Sequence, residues 1–240
     1  MEFLAVLALG LVAGTVGGIV GFGSSSMLMP ALVLVFGPRE AVPIMAIASI
    51  MGNASRVAAW WREVDWRATA AYSITAIPAA ALGATTLLTW PAGVAEAVMG
   101  VVFIAMIPVR RWMARQHWRL HMWHLAIVGA VIGFLTGLVV STGPINAPFF
   151  LMYGLVKGAY LSTEALASVG VYLSKAVTFR SMGALPVEII GKGLIVGCSL
   201  VAGAFIARRY VRQLDAERFR LMMDGLLLMA GLSLLWAALR

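Results

Sequence analysis

Charged residues are scarce in this chain, and their scarcity excludes most soluble proteins. Only 12% of the 240 residues are charged and 62% are hydrophobic, far outside the range of ordinary globular domains. Cysteine is nearly absent as well. Cys198 stands alone, so the sequence can form neither an intramolecular disulfide nor a cysteine metal site. The low charge and the high hydrophobic content favour an integral membrane protein.

Histidine is also rare, and all three residues lie within positions 117–124. His117, His121 and His124 share one helical face, which would suit a metal ion, but they lie among tryptophans beside a basic loop. That composition is typical of a membrane-interface belt. Because no histidine lies elsewhere to activate a nucleophile, an intramembrane enzyme is the weaker hypothesis. We expect no metal, no cofactor and no catalytic residue.

Ten apolar segments fill the chain. They start near Glu2, Ser24, Ala41, Arg67, Ala92, His121, Gly143, Ser162, Pro186 and Glu217. We interpret the first as a retained helix, not a signal peptide. The second and seventh are short: a helix over residues 24–36 would reach about 20 Å, against a hydrocarbon core of about 30 Å. The sequence therefore predicts an all-α integral membrane protein with about eight to ten membrane segments, two of them broken or re-entrant helices.

Arginines cluster in two loops, one after the fifth segment and one before the tenth. The first loop contains Arg110, Arg111, Arg115 and Arg119, and the second lies within 208–220. Short basic loops are typical of the cytoplasmic side, so the net charge of +8 indicates topology and no nucleic-acid partner is expected. With both loops inside, corresponding segments run in opposite directions and both termini face outside. We predict a first membrane repeat (1–109), a basic cytoplasmic linker (110–120) and a second membrane repeat (121–240) in the cell membrane.

The two halves also resemble each other in sequence. Residues 23–30, GSSSMLMP, align with residues 141–148, STGPINAP, and each stretch follows a glycine-rich helix. A one-residue shift places Arg56 opposite Lys175. This similarity supports two inverted repeats of five segments, a recurring architecture of transporters that bind substrate near mid-membrane.

A family resemblance rests on the first of these stretches. The glycine-rich helix contains Gly14, Gly17 and Gly18, the tip reads Gly21-Phe22-Gly23-Ser24-Ser25 with Pro30 behind it, and a later loop reads Val64-Asp65-Trp66-Arg67. This pattern resembles the sulfite exporter TauE/SafE family of membrane transporters over nearly the whole chain. The resemblance implies export or exchange of small anions such as sulfite, sulfonates and related sulfur or carboxylate compounds. Family tips read Gly-Gly-Gly, whereas this chain has Gly23-Ser24-Ser25 and Thr142-Gly143-Pro144.

The two tips are the leading candidates for the substrate site. A helix that starts at Ser24 or Gly143 directs unpaired backbone N–H groups and its positive dipole end at a cavity, where an anion binds favourably. The predicted tip residues are Gly23, Ser24, Ser25, Ser26, Ser141, Thr142, Gly143 and Asn146. The alternative is that these small residues serve helix packing or capping.

Ionisable residues inside apolar segments are the other candidates. Arg56 and Lys175 are placed in the substrate site, because buried cations are costly in hydrocarbon and often functional there. The alternative is that both side chains extend to the lipid headgroups. Glu96 and Asp224 could carry protons, but Arg220 lies one turn before Asp224 and would neutralise it without a transport role.

The sequence thus predicts an exporter that binds a small anion between the tips and works by alternating access within a lipid bilayer. A homodimer is compatible with this prediction. A structural or assembly subunit is the alternative, although it leaves the polar tips unexplained. The residues do not identify the anion or decide whether protons are coupled to its movement.

Overall fold

A computed structural model describes residues 2–113, 115, 119–138, 143–210, 228, 232 and 235–236. Within these ranges every regular element is helical, so the predicted all-α class is confirmed for this part of the chain. The elements are α1 (Glu2–Val20), α2 (Ser24–Trp60), a 3-10 turn (Trp61–Glu63), α3 (Trp66–Thr89), α4 (Ala92–Met113), α5 (Met122–Leu138), α6 (Gly143–Tyr153), α7 (Lys157–Ser181) and α8 (Val187–Tyr210).

Three described helical stretches are long and apolar enough to cross a membrane: Glu40–Glu63, Trp66–Thr89 and Val187–Ala207. The first two have 24 residues each, which gives about 36 Å of helix against a hydrocarbon core of about 30 Å. Phe3–Gly18 and Met122–Leu138 are shorter apolar helices. The chain is therefore a membrane protein. The number of spans stays a prediction, because only residues 228, 232 and 235–236 of the predicted segment near Glu217 are described.

The predicted second and third segments form one continuous element, α2, which bends at Gly37. This glycine has φ 74° and ψ 162°, a conformation that residues with a side chain rarely adopt. The bend separates a short arm, residues 24–36, from a long arm that continues to Trp60. In the second half, Gly154 (φ 110°) follows the 11-residue helix α6 in the same way. Both short pieces are too short to cross a bilayer alone.

Two helix pairs, α1 with α8 and α3 with α5, pack backbone against backbone. A Cβ added at Gly14 would lie 2.3 Å from the carbonyl oxygen of Leu200, and one added at Gly133 would lie 2.4 Å from that of Ala76. Small residues at helix contacts permit this approach in membrane proteins. The glycines recur every four residues on both helices: Gly10, Gly14 and Gly18 on α1, and Gly129, Gly133 and Gly137 on α5.

The contacts also fix the directions of the helices. Successive glycines of α1 meet successive turns of α8, so these helices are parallel, and the same holds for α5 along α3. Asp65 precedes α3 and its N–H donates to Thr163 Oγ1 of α7 at 2.9 Å, while Ser174 further along α7 donates to the carbonyl of Ile77 at 2.8 Å. Gly193 and Gly197 of α8 face Ile47 and Met51 on the long arm of α2, so that arm is parallel to α8 and α1. The chain reverses between Trp60 and Trp66, so α3, α5 and α7 run the opposite way.

Candidate functional site

A cavity of about 660 Å³, its open mouth included, lies where both short helices begin. Residues from α1, α2, α3, α5, α6, α7 and α8 surround it. The described lining residues are Gly14, Gly17, Gly18, Gly21, Phe22, Gly23, Ser24, Ser25, Ser49, Gly52, Asn53, Arg56, Tyr72, Thr136, Gly143, Asn146, Glu164, Ser168, Val171, Tyr172, Leu200 and Ala204. The cavity therefore collects most of the described polar side chains from the interior of the helix bundle.

The first tip is the turn between α1 and α2. Gly21 and Gly23 adopt φ 86° and 101°, which lets the chain reverse within three residues. Gly23 is the N-cap of α2, and the helix start has no side-chain cap. The N–H groups of the first helical turn thus have no partner within the helix and suit an anion. Ser24 and Ser25 line the cavity beside them.

Ser26 belongs to the same helical turn, but its side chain lies outside the described part of the structure. Ser25 is buried, and its hydroxyl lies 3.5 Å from the hydroxyl of Ser49 on the long arm of α2. Tyr172 of α7 lines the same part of the cavity, close to both serines. These hydroxyls give the cavity wall groups that can donate or accept hydrogen bonds as the occupant requires.

The second tip meets the first. A Cβ added at Gly143, the first residue of α6, would lie 3.0 Å from Cβ of Phe22 in the first tip. Ser141 and Thr142 lie outside the described residues, so their predicted roles stay predictions. Asn146 follows one turn into α6 and is 3% exposed. Its amide nitrogen donates to Glu164 Oε1 at 3.2 Å, whereas its amide oxygen has no hydrogen-bond partner among the described residues.

Arg56 projects from the long arm of α2 into the cavity instead of extending to the membrane surface. Its side chain is 12% exposed, and Nη1 lies 3.3 Å from Glu164 Oε2 on α7. Nη2 donates to Asn53 Oδ1, and the Asn53 amide in turn donates to the carbonyl oxygen of Ser49 at 2.7 Å. Arg56 thus lines the same cavity as Ser24 and Ser25 of the first tip; its role in binding stays a prediction.

Lys175 is fully buried and does not belong to the described cavity lining. Its ammonium donates to the carbonyl oxygen of Thr136 at 2.8 Å and lies 5.4 Å from the centre of the Phe179 ring. Thr136 itself lines the cavity. Lys175 thus stands behind the wall, where its charge can act on the cavity through Thr136 and not by direct contact.

Glu164 is the charged lining residue that was not predicted from the sequence. It is 3% exposed in α7, and Ser168 donates to its Oε1 at 2.8 Å. The signal was present in the sequence. Polar residues recur along α7 at Glu164, Ser168, Tyr172 and Lys175, which places them on one helical face. The spacing of Ser49, Asn53 and Arg56 on α2 marks the facing stripe in the same way.

The other ionisable candidates lie away from this cavity or outside the described structure. Glu96 belongs to α4, with its side chain not described, and Asp224 and His117 lie outside the described residues. His121 and His124 lie at the start of α5, where the ring of His124 stacks on Trp123 at 3.6 Å. His124 Nδ1 accepts the backbone N–H of His121 at 3.0 Å.

The fold and the cavity define a helical membrane protein with a polar site buried between two helix tips. The family model for the sulfite exporter TauE/SafE matches residues 6–234. The chain belongs to this family, which is a family of transporters and not of enzymes, and the resemblance seen in the sequence is confirmed. No curated protein and no solved structure matches the chain.

Proposed function

We propose that this protein exports a small anion, such as sulfite, a sulfonate or a related sulfur or carboxylate compound, through the cavity between the two tips. One observation carries the proposal. The cavity joins the uncapped start of α2, the guanidinium of Arg56 and the amide of Asn146 at a single buried site in a member of a sulfite exporter family.

The chemistry of the site supports an anionic occupant. Backbone N–H groups and the positive end of a helix dipole stabilise negative charge, and an arginine guanidinium offers paired donors that match a planar or pyramidal oxyanion. Three buried atoms at the cavity have no hydrogen-bond partner among the described residues: Arg56 Nη1, Asn146 Oδ1 and Glu164 Oε2. Buried polar atoms normally have partners. Arg56 Nη1, which is ion-paired with Glu164 Oε2, can donate to an anion, whereas the two acceptor oxygens require water or another donor.

The inverted repeat belongs to the same proposal. In the predicted repeats, α1 corresponds to α5 and α3 to α8, so the contact between α1 and α8 corresponds to that between α5 and α3. Both contacts use glycines at a spacing of four residues, and both pairs are parallel. These features support units of 1–109 and 121–240 joined by the linker 110–120. Movement of one part of the protein against another would open the cavity to either side of the cell membrane in turn.

Binding can be tested with a thermal-shift panel of sulfite, methanesulfonate, thiosulfate and acetate on the purified protein. A ligand of the native state stabilises it by about 2.7 kcal/mol at a concentration of 100 Kd. We expect at least one oxyanion to raise the melting temperature of the wild type, and no shift in Ser25→Leu, whose larger side chain would obstruct the site beside the first tip. Thr85→Leu, an exposed change on α3, is the control. If none of the anions raises the melting temperature of the wild type, and none is transported in vesicles, the results would instead favour a structural subunit.

A further inference from the structure

Glu164 already occupies the position beside Arg56 that a substrate anion would take. One carboxylate oxygen, Oε1, accepts hydrogen bonds from Asn146 and Ser168. The other, Oε2, lies 3.3 Å from Arg56 Nη1 in an ion pair without an aligned hydrogen bond. The carboxylate is thus held from one side by neutral donors, while its charge is balanced by Arg56 on the other.

Charge balance in the cavity limits what can bind there. Among the described lining residues, Arg56 and Glu164 alone carry formal charges, one positive and one negative. An anion that binds to Arg56 while Glu164 is ionised would lie beside a buried carboxylate, and like charges close together disfavour each other strongly, whereas the Lys175 ammonium acts only from behind the wall. A proton on Glu164 removes this conflict. The protonated carboxyl can keep both neutral hydrogen bonds through Oε1 while Arg56 turns to the anion.

Resting on the function proposed above, we propose that Glu164 is the proton-coupling residue of this transporter. In the empty site the Glu164 carboxylate is paired with Arg56. A substrate anion displaces the carboxylate from Arg56, and Glu164 takes one proton from water on the side to which the cavity is open. The anion and the proton then cross together and leave together, so a singly charged anion moves without net charge.

The groups around Glu164 differ from it in their ability to take up a proton near neutral pH. Arg56 faces it from α2 and Tyr72 faces it from α3 across the cavity, while Tyr160 and Tyr172 lie on its own helix. From α5 and α6, the described lining residues are Thr136, Gly143 and Asn146, none of which titrates near neutral pH. An arginine stays charged and a tyrosine stays neutral at pH 6–8, and Lys175 on the same helix reaches the cavity only through the carbonyl of Thr136. Glu164 is therefore the group in direct contact with Arg56 whose protonation can follow the anion, and Glu164→Gln separates its effect from that of Lys175.

The first test measures the Kd for methanesulfonate, which stays ionised near neutral pH, at pH 6, 7 and 8. If one proton is bound with each anion, the Kd of the wild type should increase about tenfold for each unit by which the pH rises. Glu164→Gln, which resembles the protonated carboxyl, should bind with less than about a twofold change over this range. Ser168→Ala removes a hydrogen bond but keeps the charge, so it should retain the wild-type slope. A pH-independent wild-type Kd, or an unchanged slope in Glu164→Gln, would overturn the inference.

The second test needs the wild type alone, and therefore does not depend on whether Glu164→Gln folds. Methanesulfonate is added to purified protein in weakly buffered detergent solution with a pH dye. We expect uptake of about one proton per anion bound, and binding without proton uptake would contradict the inference. These results are separate from the proposed function, which fails if the wild type neither binds nor moves any of the panel anions.

Discussion

Replacing Gly133 by alanine should weaken the contact between α3 and α5. The new Cβ would lie 2.4 Å from the carbonyl oxygen of Ala76 and 2.6 Å from its Cα, where ordinary contacts start at 3.4 Å. The obstructing atoms belong to the backbone, so no side chain can rotate away, and the helices must separate by about 1 Å. Overpacking of this kind costs about 1–3 kcal/mol.

Two further substitutions make the comparison specific. Gly14→Ala is the corresponding change between α1 and α8, because its Cβ would lie 2.3 Å from the carbonyl oxygen of Leu200. Gly191→Ala is the control, since a Cβ added there meets nothing within 4 Å. In a helix, alanine is more favourable than glycine by up to about 1 kcal/mol. The control should therefore be as stable as the wild type or more stable.

The assay is SDS-induced unfolding in mixed micelles, followed by tryptophan fluorescence. We expect Gly133→Ala and Gly14→Ala to unfold at lower SDS fractions than the wild type, and Gly191→Ala to unfold at the same fraction or a higher one. Equal midpoints for all three variants would refute the close backbone packing of both helix pairs.

Three further predictions concern the site and the topology. Ser25→Leu should lower anion flux at least about tenfold at normal folded yield, because the larger side chain would obstruct the cavity at a buried position. Flux equal to that of the exposed control Thr85→Leu would show that Ser25 serves only helix packing. Lys175→Gln should weaken anion binding about threefold to tenfold through loss of a buried charge, and equally at low and high salt; an unchanged Kd would remove Lys175 from the site. In a cysteine-free background, an impermeant reagent should label Met182→Cys but not Glu63→Cys in intact cells, because residue 182 is predicted outside and residue 63 in the cytoplasm. Labelling of Glu63→Cys alone would show that the predicted orientation is wrong.

The sequence predicted the helical class, most helix starts and the two short pieces, because apolar run length and glycine position determine these locally. It also drew attention to Arg56, since a cation inside an apolar segment is unusual wherever that segment lies. Glu164 could not be paired with Arg56 in the same way. That pairing depends on which face α7 turns toward α2, and this rotation is set by tertiary contacts such as Ser174 with Ile77. Similarly, nothing local shows that Lys175 bonds to Thr136 behind the cavity wall.

The proposed anion path is tested most directly by the flux of methanesulfonate from loaded proteoliposomes. This flux is compared between the wild type and the double variant Arg56→Gln, Glu164→Gln. Removing both charges leaves no unpaired buried charge, which could cause misfolding and lower the flux for that reason. We expect saturable flux in the wild type and a loss of at least about tenfold in the double variant, at equal folded yield. Equal flux in the two proteins would contradict the claim that the cavity around Arg56 carries the anion.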